Sequence, residues 1–392
     1  MLEKLVSTIE FQMSLLLFVA LAGYFLASRI SQSVVIGEIL LGVLIGPSLL
    51  GLVTYTDFVR SVASLGAIIL LFVVGLEFRL KDVYNLKCGL IALFGVIVPW
   101  ICGYYLASFF GYSFGSAVFV GTALTATSIA ITANVLKEMG KLKTEAAKAI
   151  IGAAVIDDVL GLLALSFSGQ LVSASFSVSA IALIFLKAAG FLALGAYIGS
   201  RFLSRAAEKL DKSNITKKFP EFVFIFAMMA AFFYAMCAEM LGLSGIVGAF
   251  IAGVSLEGAI IRHGKDYREG AEYLHIIFAS IFFVSLGILA DIHALTFRAI
   301  WFLILLTIAA IISKFIGCYI PARLGGMSQK NSFAVGIGMI PRGEVAMIVA
   351  LIGLSQKIIG QEIYVSLVLM SLLTTIIAPI ILRNYAYKEK AK

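Results

Sequence analysis

Two adjacent aspartates, Asp157 and Asp158, sit in the middle of an apolar run, Gly152-Ala153-Ala154-Val155-Ile156-Asp157-Asp158-Val159-Leu160-Gly161. Carboxylates so placed are expensive unless they are paired, neutralised or turned toward water, and they mark function by default. Neighbours on a helix point about 100° apart. One aspartate can therefore face a basic partner while the other faces a cavity. Lys314 lies within another apolar run, and a buried lysine needs a counter-charge. One of the two aspartates is its natural partner. Pro341-Arg342-Gly343-Glu344 interrupts a third run. Arg342 and Glu344 read either as a charge network across a broken helix or as a fixed ion pair that holds the fold. The segment Thr122-Ala123-Leu124-Thr125-Ala126-Thr127-Ser128-Ile129-Ala130-Ile131-Thr132 adds hydroxyl and carbonyl oxygens. Hard oxygens of this kind, with a carboxylate, suit a sodium-sized ion. The alternative for these hydroxyls is simple bonding back to their own helix.

The elements that must position these residues are membrane spans. The 392 residues are 61% hydrophobic and 13% charged, with a mean hydropathy of +1.06. That excess runs along the whole chain and leaves no stretch for a soluble regulatory domain. The net charge of +8 sits in short loops, which fits membrane topology better than nucleic-acid binding. The cysteines and histidines are scattered without metal-ligand spacing, so no zinc, haem or other cofactor is expected. Ala20-Leu21-Ala22 resembles a signal-peptidase site, but the apolar run continues past it to Ala27. An uncleaved first span is the better reading.

Hydropathy predicts an all-α polytopic membrane protein with thirteen transmembrane helices. The spans fall at about 10–28, 33–51, 61–78, 87–110, 114–136, 145–169, 174–204, 219–239, 242–260, 271–290, 296–321, 331–356 and 361–382. With the N-terminus outside, 23 of the 30 basic residues fall in inside segments. These include Lys81, Arg262, Lys265, Lys388, Lys390 and Lys392. The outside segments hold only Lys4, Arg60, Arg298 and Lys357. This asymmetry puts the C-terminus in the cytoplasm of a multi-pass protein of the plasma membrane. Lys187, Lys314 and Arg342 remain inside spans. Glu38 reads as a structural charge at a helix end, and Lys187 has no evident role.

The second half of the chain echoes the first. Gly37 to Gly46 matches Gly245 to Gly253, Leu71 to Leu76 matches Phe282 to Ile288, and Ile101 to Tyr104 matches Ile316 to Tyr319. Spans 5 and 12 are both interrupted at mid-depth. Each match is offset by seven spans, an odd number, so the two repeats have opposite orientations. Spans 1–6 (10–169) form the first repeat, 174–204 is a linker helix, and spans 8–13 (219–382) form the inverted second repeat. Paired broken helices in inverted repeats are the construction of alternating-access transporters.

At this point the motifs form a recognisable set. They are Gly37-Glu38 with Gly46-Pro47, Leu71 to Glu77, Thr125 to Ser128, Asp157-Asp158, Lys314, and Pro341 to Val345. Together they cover nearly the whole chain, and in this order the chain resembles the cation:proton antiporter-2 family, in particular its NapA-type sodium/proton antiporters. The resemblance implies a homodimer with a dimerisation domain. It also implies a core of two crossed discontinuous helices, and an elevator-like movement of that core. It makes Asp158 the ion ligand and Asp157 the partner of Lys314. Family potassium exchangers of the Kef type have Gln-Asp at the pair and a C-terminal nucleotide-binding domain. Asp-Asp and the short tail here favour sodium.

The implied mechanism is competition for one site. Asp158, with Thr127 or Ser128 and a contribution from Asp157, holds sodium or lithium, and protons displace it while Lys314 changes its own protonation. The role in pH homeostasis follows from that exchange. Three rivals differ in kind. An intramembrane aspartyl protease places its two carboxylates on separate helices around a shared water, and here they are adjacent. A cation channel needs no titrating carboxylate–lysine pair. A third keeps antiport but carries potassium, or moves an organic anion with sodium.

Overall fold

Serine or threonine precedes the first turn of most helices, and its hydroxyl usually completes that turn. In the computed structural model, Thr8 accepts from Phe11 N, Thr56 from Val59 N, Ser113 from Ser116 N, Thr296 from Ala299 N and Ser328 from Asn331 N. Such caps satisfy amides that a helix start leaves open. The structure describes residues 8–79, 85–172, 177–260, 267–290, 293 and 296–387, and of Glu344 the backbone only. Lys4, Lys81, Arg262, Lys265, Lys388, Lys390 and Lys392 lie outside the described residues, as does the side chain of Glu344.

The described chain is helical throughout. In order, the helices are α1 (Ile9–Ile30), α2 (Val34–Ile45), α3 (Asp57–Gly75), α4 (Leu86–Phe109), α5 (Phe114–Thr125), α6 (Ile129–Glu138) and α7 (Glu145–Val172). There follow α8 (Val178–Asp211, with a π turn at Gly199–Leu203), then, past a short helical turn at Asn214–Lys218, α9 (Phe222–Met240), α10 (Gly245–Leu256) and α11 (Tyr267–Ile288). The last four are α12 (Phe297–Leu324), α13 (Gln329–Gly338), α14 (Glu344–Ser355) and α15 (Gln361–Ile381). Among the described residues ten segments are long and apolar enough to cross a membrane, and shorter apolar helices accompany them. Each of the thirteen runs read from the sequence coincides with one helix or one interrupted pair, α5/α6 or α13/α14.

Boundaries differ where local chemistry outweighs hydropathy. The second run was expected to reach residue 51, but α2 stops at Ile45. Pro47 disfavours helix at the residue before it, and the chain folds back through Leu50 N to Leu44 O at 3.0 Å and Leu52 N to Ile45 O at 2.9 Å. The ninth run shortens to twelve residues in α10. The seventh lengthens past residue 204, because its basic last turns still make helix.

Two groups of helices result. The first gathers α4, α5, α6, α7, α12, α13, α14 and α15, and the second gathers α1, α2, α3, α9, α10 and α11. α8 packs against both, through α7 on one side and α10 on the other. Glycines set the closest seams. A Cβ on Gly42 of α2 would stand 2.1 Å from Val284 O of α11, and one on Gly287 would stand 2.2 Å from Ile39 O. The α3–α10 seam has the same design, with Gly75 against Phe250 O and Gly253 against Phe72 O. No larger residue fits such backbone contact, which is how helices pack tightly in lipid.

The two interruptions meet inside the first group. Thr122 and Thr125 turn their hydroxyls onto Val118 O and Thr122 O of their own helix, and α5 ends there. Pro341 has no amide to continue α13. Across the gap, Ser128 N donates to Pro341 O at 2.8 Å, and Thr132 Oγ1 donates to Gly338 O at 2.6 Å. A Cβ on Gly343 would come within 2.7 Å of Ser128 Oγ. The breaks therefore brace one another, and neither backbone shifts alone.

Candidate functional site

α7 runs past both breaks and brings its aspartates to their level. Asp157 and Lys314 are almost fully shielded, with exposures of 1% and 0%. Lys314 Nζ donates to Asp157 Oδ1 at 3.0 Å, to Thr125 O at 2.6 Å and to Gly95 O at 2.8 Å. An ammonium has three protons to donate, and all three are used. The Thr125 carbonyl belongs to the last residue of α5, where the helix leaves carbonyls without an intrahelical partner and carries partial negative charge. Lys314 thus caps a half-helix and pairs a carboxylate at once. Gly95 makes room for the neighbouring Cys318: a Cβ there would press on Cys318 Sγ at 2.9 Å, while Lys314 Nζ would stand at an ordinary 3.6 Å.

The second oxygen of that carboxylate is different. Asp157 Oδ2 is buried without a hydrogen bond of acceptable geometry, and so is Thr127 Oγ1, which lies beside the same carboxylate. Two buried oxygens, one on α7 and one at the α5–α6 break, thus hold unused capacity.

Asp158 turns the other way, as helix geometry requires. It lines a small cavity of about 10 Å³, room for roughly one water-sized centre, with Thr127, Ser128, Ile129, Ala130, Ser244, Ile246 and Val345. Ser128 and Ile129 open α6, Ser244 and Ile246 open α10, and Val345 opens α14. First turns of three helices meet at one carboxylate, and their partial positive charge suits it.

Arg342 is also fully buried. Among the described residues it has no carboxylate within ion-pair distance. Its guanidinium donates to Ile340 O, to Met339 O at 3.4 Å and to Ala310 O at 3.2 Å. Its own backbone is held by Thr374 Oγ1 at 3.3 Å and Thr375 Oγ1 at 2.8 Å. Arg342 therefore serves the carbonyl end of α13. Glu344 begins α14 two residues later. Glu38, read as a helix-end charge, is buried inside α2 with its Oε1 unpartnered.

The structure thus brings Asp157, Asp158, Lys314, Thr127 and Ser128 together and sets Arg342 at the facing break. Sequence reasoning missed Ser244, Ile246 and the carbonyl of Gly95, gave Val345 no role beyond its place in a motif, and offered the carbonyls around Thr125 to an ion and not to Lys314. A carbonyl has no side-chain signature, and nothing local signals that α10 will start beside α7.

A buried lysine–aspartate pair at two mutually braced helix breaks, inside a membrane bundle, is the construction of an ion-coupled transporter. The sodium/hydrogen exchanger transmembrane family model matches residues 15–387, and the chain belongs to that family. The Na(+)/H(+)-K(+) antiporter GerN of Bacillus cereus is 33% identical over 384 residues, which is 97% of each chain. The Na(+)/H(+) antiporter of Enterococcus hirae is 33% identical over 96% of this chain and 98% of its own. Among solved structures, the sodium proton antiporter MjNhaP1 of Methanocaldococcus jannaschii superposes with a TM-score of 0.72 at 17% identity, covering 94% of both chains.

Proposed function

We propose that this membrane protein is a secondary antiporter that exchanges sodium for protons by alternating access. The observation that carries the reading is the Lys314–Asp157 pair, 3.0 Å apart and sealed from solvent, with Asp158 turned from it into a cavity at the helix breaks. Asp158 is the carboxylate that holds sodium, or lithium, and proton in turn. Ser128 and Thr127 stand at the same cavity and supply hydroxyl oxygens. The unpartnered Oδ2 of Asp157 and Oγ1 of Thr127 are further oxygens that a cation bound beside Asp158 can use.

The cycle follows from the cost of charge in lipid. A carboxylate at mid-membrane costs about 3 kcal/mol or more, so the bundle crosses only when Asp158 is neutralised. Sodium does this by coordination and a proton by bonding. When a proton neutralises Asp157, Lys314 loses its counter-charge and keeps only the carbonyls of Gly95 and Thr125. With sodium bound at Asp158 and drawing on Asp157 Oδ2, the same loss of counter-charge lets Lys314 release its proton. When sodium leaves, Lys314 regains that proton and Asp158 takes up its own, so two protons replace one sodium. Two protons for one sodium make the exchange electrogenic, and the membrane potential then contributes about 2.3 kcal/mol per charge per 100 mV.

The same reading extends to setting. The loop charges favour a plasma-membrane protein with its N-terminus outside. The exposed apolar faces of α1 and α8, only 28% and 17% buried in their most apolar windows, leave surface for lipid and for a second copy in a homodimer. The matched glycine seams of α2–α11 and α3–α10 support an inverted repeat with α8 as its linker. GerN is named for potassium as well as sodium, so potassium is the second cargo to test.

Proton flux in proteoliposomes, titrated with lithium, sodium and potassium, tests the proposal. Sodium and lithium are expected to drive proton movement, and Asp158→Asn to abolish it. A response to potassium alone overturns the cargo, and an unchanged signal in Asp158→Asn overturns the site.

A further inference from the structure

The seams within each helix group and the seam between the groups are built differently. Within a group, glycines bring backbones into contact: Gly42 and Gly287 for α2–α11, Gly75 and Gly253 for α3–α10, Gly317 against Phe94 O for α12–α4, and Gly121 against Trp100 O for α5–α4. Among the described residues no such glycine contact joins α6 to the second group. α6 meets α3 within the common apolar core, and at its end away from the break polar side chains join it to α2 and α11.

Glu138, the last residue of α6, accepts from Ser33 Oγ at 2.7 Å and from Val34 N at 3.2 Å. Ser33 is the cap residue of α2, yet it makes no cap bond of its own. The first turn of α2 is thus completed from another helix, more than 100 residues away in sequence. A carboxylate is a good partner for that helix start. Asn134 donates to Glu138 Oε1 at 3.0 Å and meets His275 Nε2 of α11 at 3.1 Å. Lys137 pairs with Glu272 of α11 at 2.5 Å. In the loop beyond, Lys143 reaches Glu77 at 3.2 Å.

These bonds border water. A cavity of about 710 Å³ opens between the α1–α2 turn and the inner ends of α6 and α15, lined by Ser31, Glu138, Lys141, Arg383 and Tyr385 among others. When the bonds break, solvent is at hand for Glu138 at the cavity and for the partly exposed Lys137 and Glu272, whereas a glycine-packed seam has no substitute for the contact it loses. The junction is made to come apart and re-form.

We infer that Asn134, Lys137 and Glu138 form a latch between the broken-helix group and α2 and α11, with Glu138 as its central positioning residue. The latch holds the conformation seen here. It closes the route from the site to the membrane face on which α6 ends, since the break lies at the other end of the same ten-residue helix, about 15 Å away. This rests on the alternating-access reading, in which the group must leave α2 and α11 to expose the site to that face.

Two readouts test it. In a background with Cys102 and Cys237 replaced by Ser, Cys88 and Cys318 being buried, spin labels at Ile30→Cys on α1 and Lys330→Cys on α13 report the separation of the groups. Glu138→Gln is expected to add a second distance population, about tenfold more occupied than in the unaltered latch. That is the weight of one charge-assisted hydrogen bond on an equilibrium. Ser33→Ala, which leaves every charge in place, is expected to shift the distribution in the same direction by less. In proteoliposomes, half-saturating sodium measured from the α6-end face is expected to fall by up to tenfold in Glu138→Gln, because more of the protein is competent to bind there. Unchanged distances in both variants overturn the latch, whatever the cargo is. Changed distances with no sodium-driven proton movement in the wild type overturn the antiport reading and leave the latch standing.

Discussion

The two helix breaks solve one problem with different cations. Each leaves the carbonyl end of a half-helix exposed in the middle of a membrane bundle. At the first, Lys314 reaches in from α12 to Thr125 O and binds Asp157 with its remaining capacity. At the second, Arg342 folds back onto Met339 O and Ile340 O of its own chain turn and adds Ala310 O. A guanidinium stays charged under all ordinary conditions, while an ammonium surrenders its proton readily when buried. One break is therefore permanently capped, and the other is capped by a group that chemistry can switch. The acidic pair lies beside the switchable one.

The sharpest way to break this comparison is Asp158→Asn. Sodium-driven proton movement is expected to fall at least 100-fold, with melting in detergent changed little, because the site carboxylate lies at a cavity and outside the Lys314 cap. Lys314→Gln comes next. It keeps a donor for the carbonyls but removes the charge. If the wild type is electrogenic, 100 mV biases exchange by roughly fiftyfold, the equivalent of about 2.3 kcal/mol, and in the variant that bias is expected to shrink toward one. A wild type indifferent to voltage removes the switch from the first break altogether. Arg342→Met is expected to do the reverse: it leaves three carbonyls without a donor and lowers unfolding stability by about 2–4 kcal/mol, while any exchange that survives keeps its full voltage response. The smallest expected effect is that of Thr127→Val, which removes an oxygen and keeps the shape. Half-saturating sodium is expected to rise two- to fivefold, read from the same flux titration.

How much of this was legible in the sequence follows from the same contrast. Asp157, Asp158 and Lys314 stand out because charges are so rare in apolar runs that each one asks for a partner. The breaks are visible as threonines and as Pro341. The assignment of Arg342 was legible only as a charge needing compensation, since the groups it serves are backbone carbonyls that any sequence possesses. Glu138 drew no reading from the sequence, because its partners Ser33 and Val34 lie a hundred residues earlier. Ser244 was invisible for the same reason. Pairings between distant segments are products of packing. Spans could be counted from hydropathy because lipid selects for apolar length, but the end of α2 is set by Pro47 and the fold-back after it.

α8 has a mechanical consequence of its own. Its 34 residues rise about 51 Å at helical pitch, against about 30 Å of hydrocarbon. The surplus must be taken up by tilt or emerge from the bilayer. Past the π turn at Gly199–Leu203 the helix carries Arg205 and Lys209, with Lys212 at its cap, side chains at home among lipid phosphates. A strut that touches both helix groups is thus fastened at one end to the headgroup layer. If one group slides against the other, the depth of that fastening is the reference from which its travel is measured.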